Sequence, residues 1–273
     1  MDNVADIKTV RSVRTVWISD VHLGSPGCSA GYLAEFLHAI HCQTLYLVGD
    51  IVDFWALKRR PFWPQAHNDV VRRILGKAKN GVRVVFIPGN HDEVVRGYSG
   101  LKMGNIEILD DAIHTTVDGR RLLIIHGDQF DYVVRHSRLI AVIGAVLYEL
   151  LLKMNRLVNW ARRRMKKSYW SLAAFLKHKV KNAVQYIGRY EQILAAEAEK
   201  RGVEGIVCGH IHRPEIAFVG DLAYLNCGDW VESCTALIER WDGVIELVHW
   251  SERGATLKEL DRFAAPSATG VAA

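Results

Sequence analysis

The chain has 273 residues, of which 49% are apolar and 24% charged, as expected for a globular protein with a sizeable core. The first residues, MDNVADIKTV, lack the basic and apolar regions of a signal peptide, and five cysteines without a CxxC pair predict reduced thiols in a cytoplasmic protein rather than a disulfide framework. Eleven of the 35 Lys and Arg lie in residues 150–190, which contain no acid, so the other 24 stand against 30 Asp and Glu. One basic segment is therefore attached to an acidic body.

Short apolar runs alternate with helical patterns in the first half of the chain. Helices are predicted over Ala30–His41 and Ala66–Lys79. Strands are predicted near Thr15–Ile18, Thr44–Val48, Val82–Ile87, Arg121–Ile125, Gly205–Cys208, Ala223–Asn226, Thr235–Arg240 and Val244–His249. The alternation indicates a layered α/β fold, and the short turn at Asp242-Gly243 indicates antiparallel pairing among the later strands.

Residues 135–200 show no strand pattern and are predicted to form a helical, basic insertion between the fourth and fifth strands. The core then comprises residues 12–134 and 201–255. Residues 1–11 and 256–273 are predicted to be flexible termini. Within the insertion, the apolar run Leu139–Leu152 falls short of the ~20 residues that span a bilayer, so a buried or docked helix is expected there.

Five of the predicted strands lead directly into residues that can bind a metal. They are Asp20 and His22 in VWISDVH, Asp50 and Asp53 in LYLVGDIVD, Asn90, His91 and Asp92 in VVFIPGNHD, His126 and Asp128 in LLIIHGD, and His210 and His212 in GIVCGHIH. Each motif alone is also compatible with a turn or a helix cap. Because ligands in layered α/β folds bind beyond the carboxyl ends of strands, the five together predict one oxygen/nitrogen metal site, suited to manganese, iron, zinc or magnesium.

The ordered motifs DxH, GDxxD, GNHD, HGD and GHxH resemble the calcineurin-like metallophosphoesterase superfamily, from about residue 13 to residue 230. The resemblance implies a four-layer α/β/β/α sandwich with the helical insertion as a cap, and two divalent metals that activate a bridging water. It implies one metal held by Asp20, His22, Asp50 and His212, and a second held by Asn90, His126 and His210, with Asp50 bridging both.

The remaining polar residues of these motifs are predicted to act on the substrate or on the ligands. By its motif position, His91 would contact the phosphoryl group or the leaving oxygen, and Asp92 is predicted to orient His91. Asp53 and Asp128 resemble residues that orient ligands or loops from behind.

The stretches ISDVHLGS, GDIVDFW, GNHDE, HGDQFD and GHIHRPEI look like the UDP-2,3-diacylglucosamine diphosphatase branch of that superfamily. This implies manganese-dependent pyrophosphate hydrolysis in lipid A synthesis at the cytoplasmic face of the inner membrane, releasing UMP and a lipid monophosphate. Two features differ from that branch. The branch carries arginine in the motif GNRD, at the position where this chain has His91 in GNHD. The stretch NCGDWVES (226–233) resembles a sister group.

Three other functions are weighed against this one. The chain could be a phosphodiesterase or phosphatase acting on another nucleotide, a phospholipid or a phosphoprotein, or it could be a nuclease. A non-catalytic scaffold of the same fold is the third, and the complete set of expected ligands argues against it.

The basic insertion has its densest charge in NWARRRMKKSYW, residues 159–170. A solvated helix face and a nucleic-acid patch are both compatible with the charge. The interleaved aromatic residues favour contact with an anionic membrane surface through residues 150–190, and make nucleic acid the weaker hypothesis. The candidate substrate contacts are Arg213, which directly follows GHxH, and, from residue type alone, Lys177, Lys181, Tyr186, Arg189 and Tyr190.

Overall fold

The computed structural model describes residues 11–130, 188, 190–250 and 255–260, the last six by their backbone. The chain divides into two compact units, one of Met1–Asp128 with Ala195–Ala273 and one of Gln129–Leu194. The first unit contains every predicted strand and all five motifs. Residues 190–200 are helical, whereas residues 135–187, where further helices are predicted, lie outside the described residues.

An eight-stranded sheet provides the first three motifs. Its central strands β1, β2, β3 and β5 are parallel, and the outer pairs are antiparallel. The loops that follow β1, β2 and β3 therefore lie at the same edge. The spatial order is β13 (Ala255–Leu260), β12 (Ile245–His249), β11 (Thr235–Glu239), β1 (Arg11–Ile18), β2 (Ile40–Val48), β3 (Arg83–Ile87), β5 (Ile106–Ile108) and β4 (Lys102–Met103).

A five-stranded sheet provides the last two motifs. Its strands β7, β8 and β10 are parallel, and β6 and β9 form antiparallel edges. The spatial order is β6 (Ala112–Thr115), β7 (Arg121–Ile124), β8 (Gly205–Cys208), β10 (Leu222–Asn226) and β9 (Glu215–Val219).

Alternating side chains of the larger sheet build two cores, because successive residues of a strand point to opposite faces. Val16, Ile18 and Leu45 pack with the apolar faces of α1 (Ala30–Ala39) and α3 (Gln65–Lys79). Trp17 and Tyr46 point the other way and pack against the second sheet, in a core that includes Leu122, Val207 and Leu225. The predicted α/β sandwich of two sheets is confirmed.

The predicted elements agree with the structure apart from their ends. All eight strands and both helices are present, although α1 ends at Ala39 because β2 begins at Ile40. The short elements β4, β5, β6, β9 and α2 (Phe54–Arg59) were not predicted. The antiparallel prediction holds for β11 with β12 and for β10 with β9, but it is wrong for β8 and β10, which pair in parallel.

The terminal strand β13 corrects one boundary. It spans Ala255–Leu260 and so includes residues 256–260, where a flexible terminus was predicted, because its backbone pairs with the otherwise open edge of β12. None of the five cysteines, all of which lie in the described part of the chain, forms a disulfide. No helix among the described residues has the length and apolar character needed to cross a membrane.

Candidate metal centre

The backbone is strained where the predicted ligands lie. Among the described residues, six non-glycine residues have a positive φ, and five of them are predicted metal ligands. Left-handed backbone costs of order 1 kcal/mol for such residues and persists where the surrounding structure imposes it. The strained ligands are Asp20 (φ 50°), His22 (55°), Asp50 (54°), His210 (71°) and His212 (53°).

Asp20, His22 and His212 form the first cluster. His212 Nε2 lies 3.1 Å from Asp20 Oδ1, and His22 Nε2 lies 3.3 Å from His212 Nε2. One potential ligand atom from each residue falls within 4.8 Å of the others, so the three side chains can hold one cation.

Asp50, His126 and His210 form the second cluster. His126 Nε2 lies 3.5 Å from Asp50 Oδ2, and His126 Nδ1 lies 2.9 Å from the carbonyl oxygen of Val48. Because a carbonyl oxygen only accepts, Nδ1 carries a hydrogen, which leaves Nε2 as the ring nitrogen that a metal would bind.

Several buried atoms of this region lack a hydrogen-bond partner, as expected of metal ligands. They include Asn90 Oδ1, Asp20 Oδ1 and His126 Nε2; the carboxylate–imidazole contacts of the last two are close but lack hydrogen-bond geometry. A buried polar atom left unpaired costs about 1–3 kcal/mol, and a bound cation would satisfy each of these atoms. The residues present therefore fit divalent metal ions.

The carboxylates and imidazoles of the site shift each other's pKa. Burial would raise the pKa of Asp50, but His126 and His91 lower it below its usual range. Burial would lower the pKa of His126, but the Asp50 carboxylate raises it to about 10. A metal ion binding at Asp50 would therefore compete with a proton on His126.

Asp53 contacts two imidazoles from behind. Asp53 Oδ1 lies 2.9 Å from His91 Nδ1, and Asp53 Oδ2 lies 3.5 Å from His22 Nδ1. The same carboxylate caps α2 by accepting a hydrogen bond from the N–H of Ala56. Since Asp53 accepts from His91 Nδ1, His91 Nε2 is left facing the site, 3.9 Å from Asp50 Oδ2.

Asp92 does not orient His91, and that prediction is wrong. Its carboxylate is fully buried and accepts from four backbone N–H groups, at Gly89 (2.6 Å), Asp50 (3.3 Å), Ile51 (2.7 Å) and Val52 (3.2 Å). Burial and the charge of Asp50 raise the pKa of Asp92 to about 6. Asp92 therefore ties two ligand loops together.

Asp128 contacts Arg96, a residue that was not predicted to belong to the site. Arg96 Nη2 donates to both Asp128 oxygens at 2.7 Å and to the carbonyl oxygen of Pro88 at 3.1 Å. The pair joins the GNHD loop to the HGD loop. Arg96 and Asp128 are 32 residues apart, and no motif spacing links them.

The loop after β10 is a second feature that sequence reasoning missed. The N–H of Trp230 donates to the carbonyl oxygen of Asp20 (3.0 Å), and Ser19 Oγ donates to the carbonyl oxygen of Gly228 (3.0 Å). Asn226 Nδ2 donates to the carbonyl oxygen of Gly209 at 3.0 Å. NCGDWVES thus positions the DxH and GHxH loops, and its place after a parallel strand was the available signal.

Two motif glycines are required by contact with the ligands. A Cβ at Gly89 would lie 2.6 Å from His126 Nε2 and would overlap Asp50, and a Cβ at Gly209 would overlap Asp20 and Ser19. The ligands can converge because no side chain stands at these positions.

The candidate substrate contacts receive little support. Arg213 is exposed, and its guanidinium lies 3.4 Å from Glu215. Tyr190 is buried, which argues against its predicted contact with a sugar or diphosphate. Lys177, Lys181, Tyr186 and Arg189 lie outside the described residues.

Comparison with known proteins gives one family and several relatives. The model of the calcineurin-like phosphoesterase family matches residues 13–214. The UDP-2,3-diacylglucosamine hydrolase of Aliivibrio fischeri is 26% identical over 243 residues (85% of this chain, 96% of the relative), and that of Edwardsiella ictaluri is 27% identical over 261 residues (90% and 92%). Among solved structures, a Vps29 single mutant from Entamoeba histolytica aligns with a TM-score of 0.46 at 12% identity (90% of this chain, 98% of that one), and Yfce, a phosphoesterase from E. coli, with 0.45 at 14% (90% and 97%).

Proposed function

This chain belongs to the calcineurin-like phosphoesterase family and is a metal-dependent hydrolase, and from that premise we propose that it uses two divalent cations, best manganese, to hydrolyse a UDP-2,3-diacylglucosamine-like pyrophosphate. The products would be UMP and a lipid monophosphate.

The position of Asp50 carries the two-metal proposal. Its Oδ2 lies 3.5 Å from His126 Nε2 on one side and 4.0 Å from His22 Nε2 on the other. One carboxylate therefore faces both clusters, so it can serve as a shared ligand. Two cations held there would acidify a water and offset negative charge on the phosphoryl oxygens.

His91 supplies the group that faces the substrate. Asp53 fixes its Nδ1, so its Nε2 can donate a hydrogen bond to a phosphoryl oxygen or a proton to the leaving oxygen. The left-handed loops and the glycines hold this nitrogen and the ligands in place before a substrate arrives, which lowers the reorganisation that the reaction needs.

The division of roles between Asp50 and His91 can be tested by substitution. We expect His91→Ala to keep nearly all of its bound metal while turnover falls by about 10²–10⁴. Asp50→Ala should lose both metal and activity, because both clusters share this residue. Metal content by elemental analysis and hydrolysis of bis(p-nitrophenyl) phosphate measure the two effects; equal metal loss in the two variants would refute the assignment.

The proposed substrate is supported by the names of the relatives and by the motifs that resemble the UDP-2,3-diacylglucosamine diphosphatase branch. The test is release of UMP from UDP-2,3-diacylglucosamine in mixed micelles with manganese. Hydrolysis of simple phosphodiesters without UMP release would favour the second candidate, a phosphodiesterase or phosphatase acting on a different substrate. The observation that favours this candidate is His91, which stands where the GNRD enzymes carry arginine.

We also propose that the protein is cytoplasmic and attaches peripherally to the inner membrane through residues 150–190. Eleven cations without an acid, interleaved with Trp160, Tyr169 and Trp170, support this attachment. These residues lie outside the described part of the chain, so the support comes from composition. The proposal would be contradicted if residues 150–190 made no contribution to the binding of the chain to vesicles.

A further inference from the structure

A basic and aromatic surface borders the metal centre in the part of the chain that the structure describes. We call it the rim segment, residues 54–63, which comprises α2 and the turn after it. It carries three consecutive cations, Lys58, Arg59 and Arg60, and no acid occurs between Asp53 and Asp69. Its sequence, FWALKRRPFW, also contains two tryptophans and two phenylalanines.

The rim segment is anchored at its middle and at its carboxyl end to the loop that follows β1. Leu57 packs against Gly24, where a Cβ would lie only 2.7 Å from the leucine side chain. The N–H of Gly24 donates to His67 Nδ1 at 3.0 Å, and the His67 ring contacts the rings of Phe62 and Trp63. The segment is therefore a fixed surface, presented in a constant position beside the site.

The outward face of α2 consists of Trp55, Lys58 and Arg59, which are neighbours on one helix face because they are three and four residues apart. All three are exposed, as is Arg60. The Trp55 ring lies over His91, with ring centroids 4.3 Å apart, so this face is continuous with the substrate-facing histidine.

The three cations have no acidic partner among the described residues. Elsewhere in the same unit, exposed cations do pair with acids: Arg83 and Lys102 with Glu107, and Arg201 with Asp111. Three adjacent like charges repel one another unless an external anion offsets them. The rim segment therefore suits an anionic partner.

Exposed apolar side chains identify the kind of anion. Trp55 and Trp63 are 36% and 39% exposed, and Val94 and Tyr98, in the turn that follows His91, are 55% and 60% exposed. The N–H of Phe54 donates to the carbonyl oxygen of His91, which joins the rim segment to that turn. Aromatic and aliphatic groups beside cations match the boundary between headgroups and acyl chains, whereas a water-soluble polyanion would leave Val94 without a role.

We propose that the rim segment docks on the headgroups of an anionic lipid bilayer, so that His91 lies at the lipid-facing edge of the metal centre. This inference rests on the proposed function, because it assumes an amphiphilic substrate. It assigns membrane contact to residues that are separate from 150–190.

The test compares two triple variants that each remove three exposed cations. Lys58→Ala/Arg59→Ala/Arg60→Ala removes the rim charges. The matched control, Arg72→Ala/Arg73→Ala/Lys79→Ala, removes three exposed charges from α3. The carboxyl end of α3 lies away from the metal centre, because Lys77 Nζ donates to the carbonyl oxygen of Ile40 at the amino end of β2. Cosedimentation is measured with vesicles of phosphatidylcholine alone and of equimolar phosphatidylcholine and phosphatidylglycerol, at low and high salt.

We expect the rim variant to lose about tenfold or more of its partitioning onto the anionic vesicles at low salt, and the control to change by less than about twofold. Both variants should keep the melting temperature of the parent chain. Unchanged binding of the rim variant, or an equal loss in both variants, would overturn the proposal. The proposal would also be overturned if the rim variant kept its binding to vesicles but lost binding to single-stranded DNA, since this result would identify a nucleic acid as the partner.

Hydrolysis of bis(p-nitrophenyl) phosphate by the unmodified chain, without lipid, separates the two proposals. Hydrolysis without any vesicle binding refutes the docking surface and leaves the catalytic proposal intact. Vesicle binding that depends on the rim cations, in a chain that hydrolyses no phosphoester, refutes the catalytic proposal alone.

Discussion

At the scale of the residue, Asp53 contacts two imidazoles from behind the metal centre. One carboxylate reaches the Nδ1 atoms of His91 and His22 and also caps α2. Burial would raise the pKa of Asp53, but the contact with His91 lowers it, so the carboxylate is charged at neutral pH. In the proposed function, Asp53 is therefore a positioning residue for His91, which would face the substrate, and for His22, which would face a metal.

We predict that Asp53→Asn lowers kcat by about 10–100-fold with little change in KM. Asparagine is a good helix cap, so α2 should be retained and the loss should come from the imidazoles. Steady-state kinetics of Asp53→Asn, His91→Ala and the double variant measure this. If Asp53 acts through His91, the double variant resembles His91→Ala; fully multiplicative losses would contradict that role.

At the scale of the element, Glu239 joins three strands from the two sheets. It is fully buried on β11, accepts from Arg14 and Thr15 of β1 at 2.8–2.9 Å, and lies 2.9 Å from His114 Nε2 of β6. The N–H of Val117 also donates to it at 2.8 Å. Burial would raise the pKa of Glu239, but these partners, His114 first, lower it below its usual range.

We predict that Glu239→Gln lowers the free energy of unfolding at pH 7 by about 2 kcal/mol, because buried hydrogen bonds to a charged group are lost. Since the folded-state pKa of Glu239 is depressed, its contribution is present above the unfolded value of about 4.5 and is lost as the pH falls through the folded value. The difference between parent and variant in urea unfolding should therefore shrink below about pH 4.5.

The matched control for this prediction is Glu107→Gln, which removes the ion pairs with Arg83 and Lys102 at the surface. It should cost at most about 1 kcal/mol, because solvent screens exposed pairs. Equal losses for Glu107→Gln and Glu239→Gln would contradict the role given to burial.

At the scale of the whole first unit, the metal centre connects the two sheets. Asp20, His22, Asp50 and Asn90 come from loops of the eight-stranded sheet, and His126, His210 and His212 from loops of the five-stranded sheet. Buried carboxylates and unpaired ligand atoms make the metal-free centre costly. Metal binding should therefore stabilise both sheets together.

We predict that manganese at about 100 times its dissociation constant stabilises the folded chain by about 2.7 kcal/mol. This corresponds to a rise in melting temperature on the order of 5–10 °C, which a chelator should reverse. Differential scanning calorimetry measures the shift, and Asp50→Ala serves as the control that should show none. A melting temperature insensitive to manganese and to chelator would contradict the metal centre.

Much of this arrangement was predictable from local sequence. Strand periodicity and the polar residues directly after each strand placed Asp20, Asp50, Asn90, His126 and His210 at strand ends, and parallel strands bring such ends to one edge. Short edge elements such as β4 and β13 were missed because two to six residues carry little periodicity, and pairing with a neighbouring strand decides them.

The sequence by itself determined the family, the two-sheet fold and the residues that converge, because these depend on patterns within a few neighbouring residues. The tertiary structure alone decided which carboxylate orients His91. Asp92 is adjacent in sequence, but its carboxylate accepts hydrogen bonds from backbone N–H groups. Asp53 lies 38 residues away from His91 and contacts the imidazole. It likewise decided the pairing of Arg96 with Asp128 and the position of the loop after β10. Such contacts join distant parts of the chain, so packing of the loops sets them and local pattern does not.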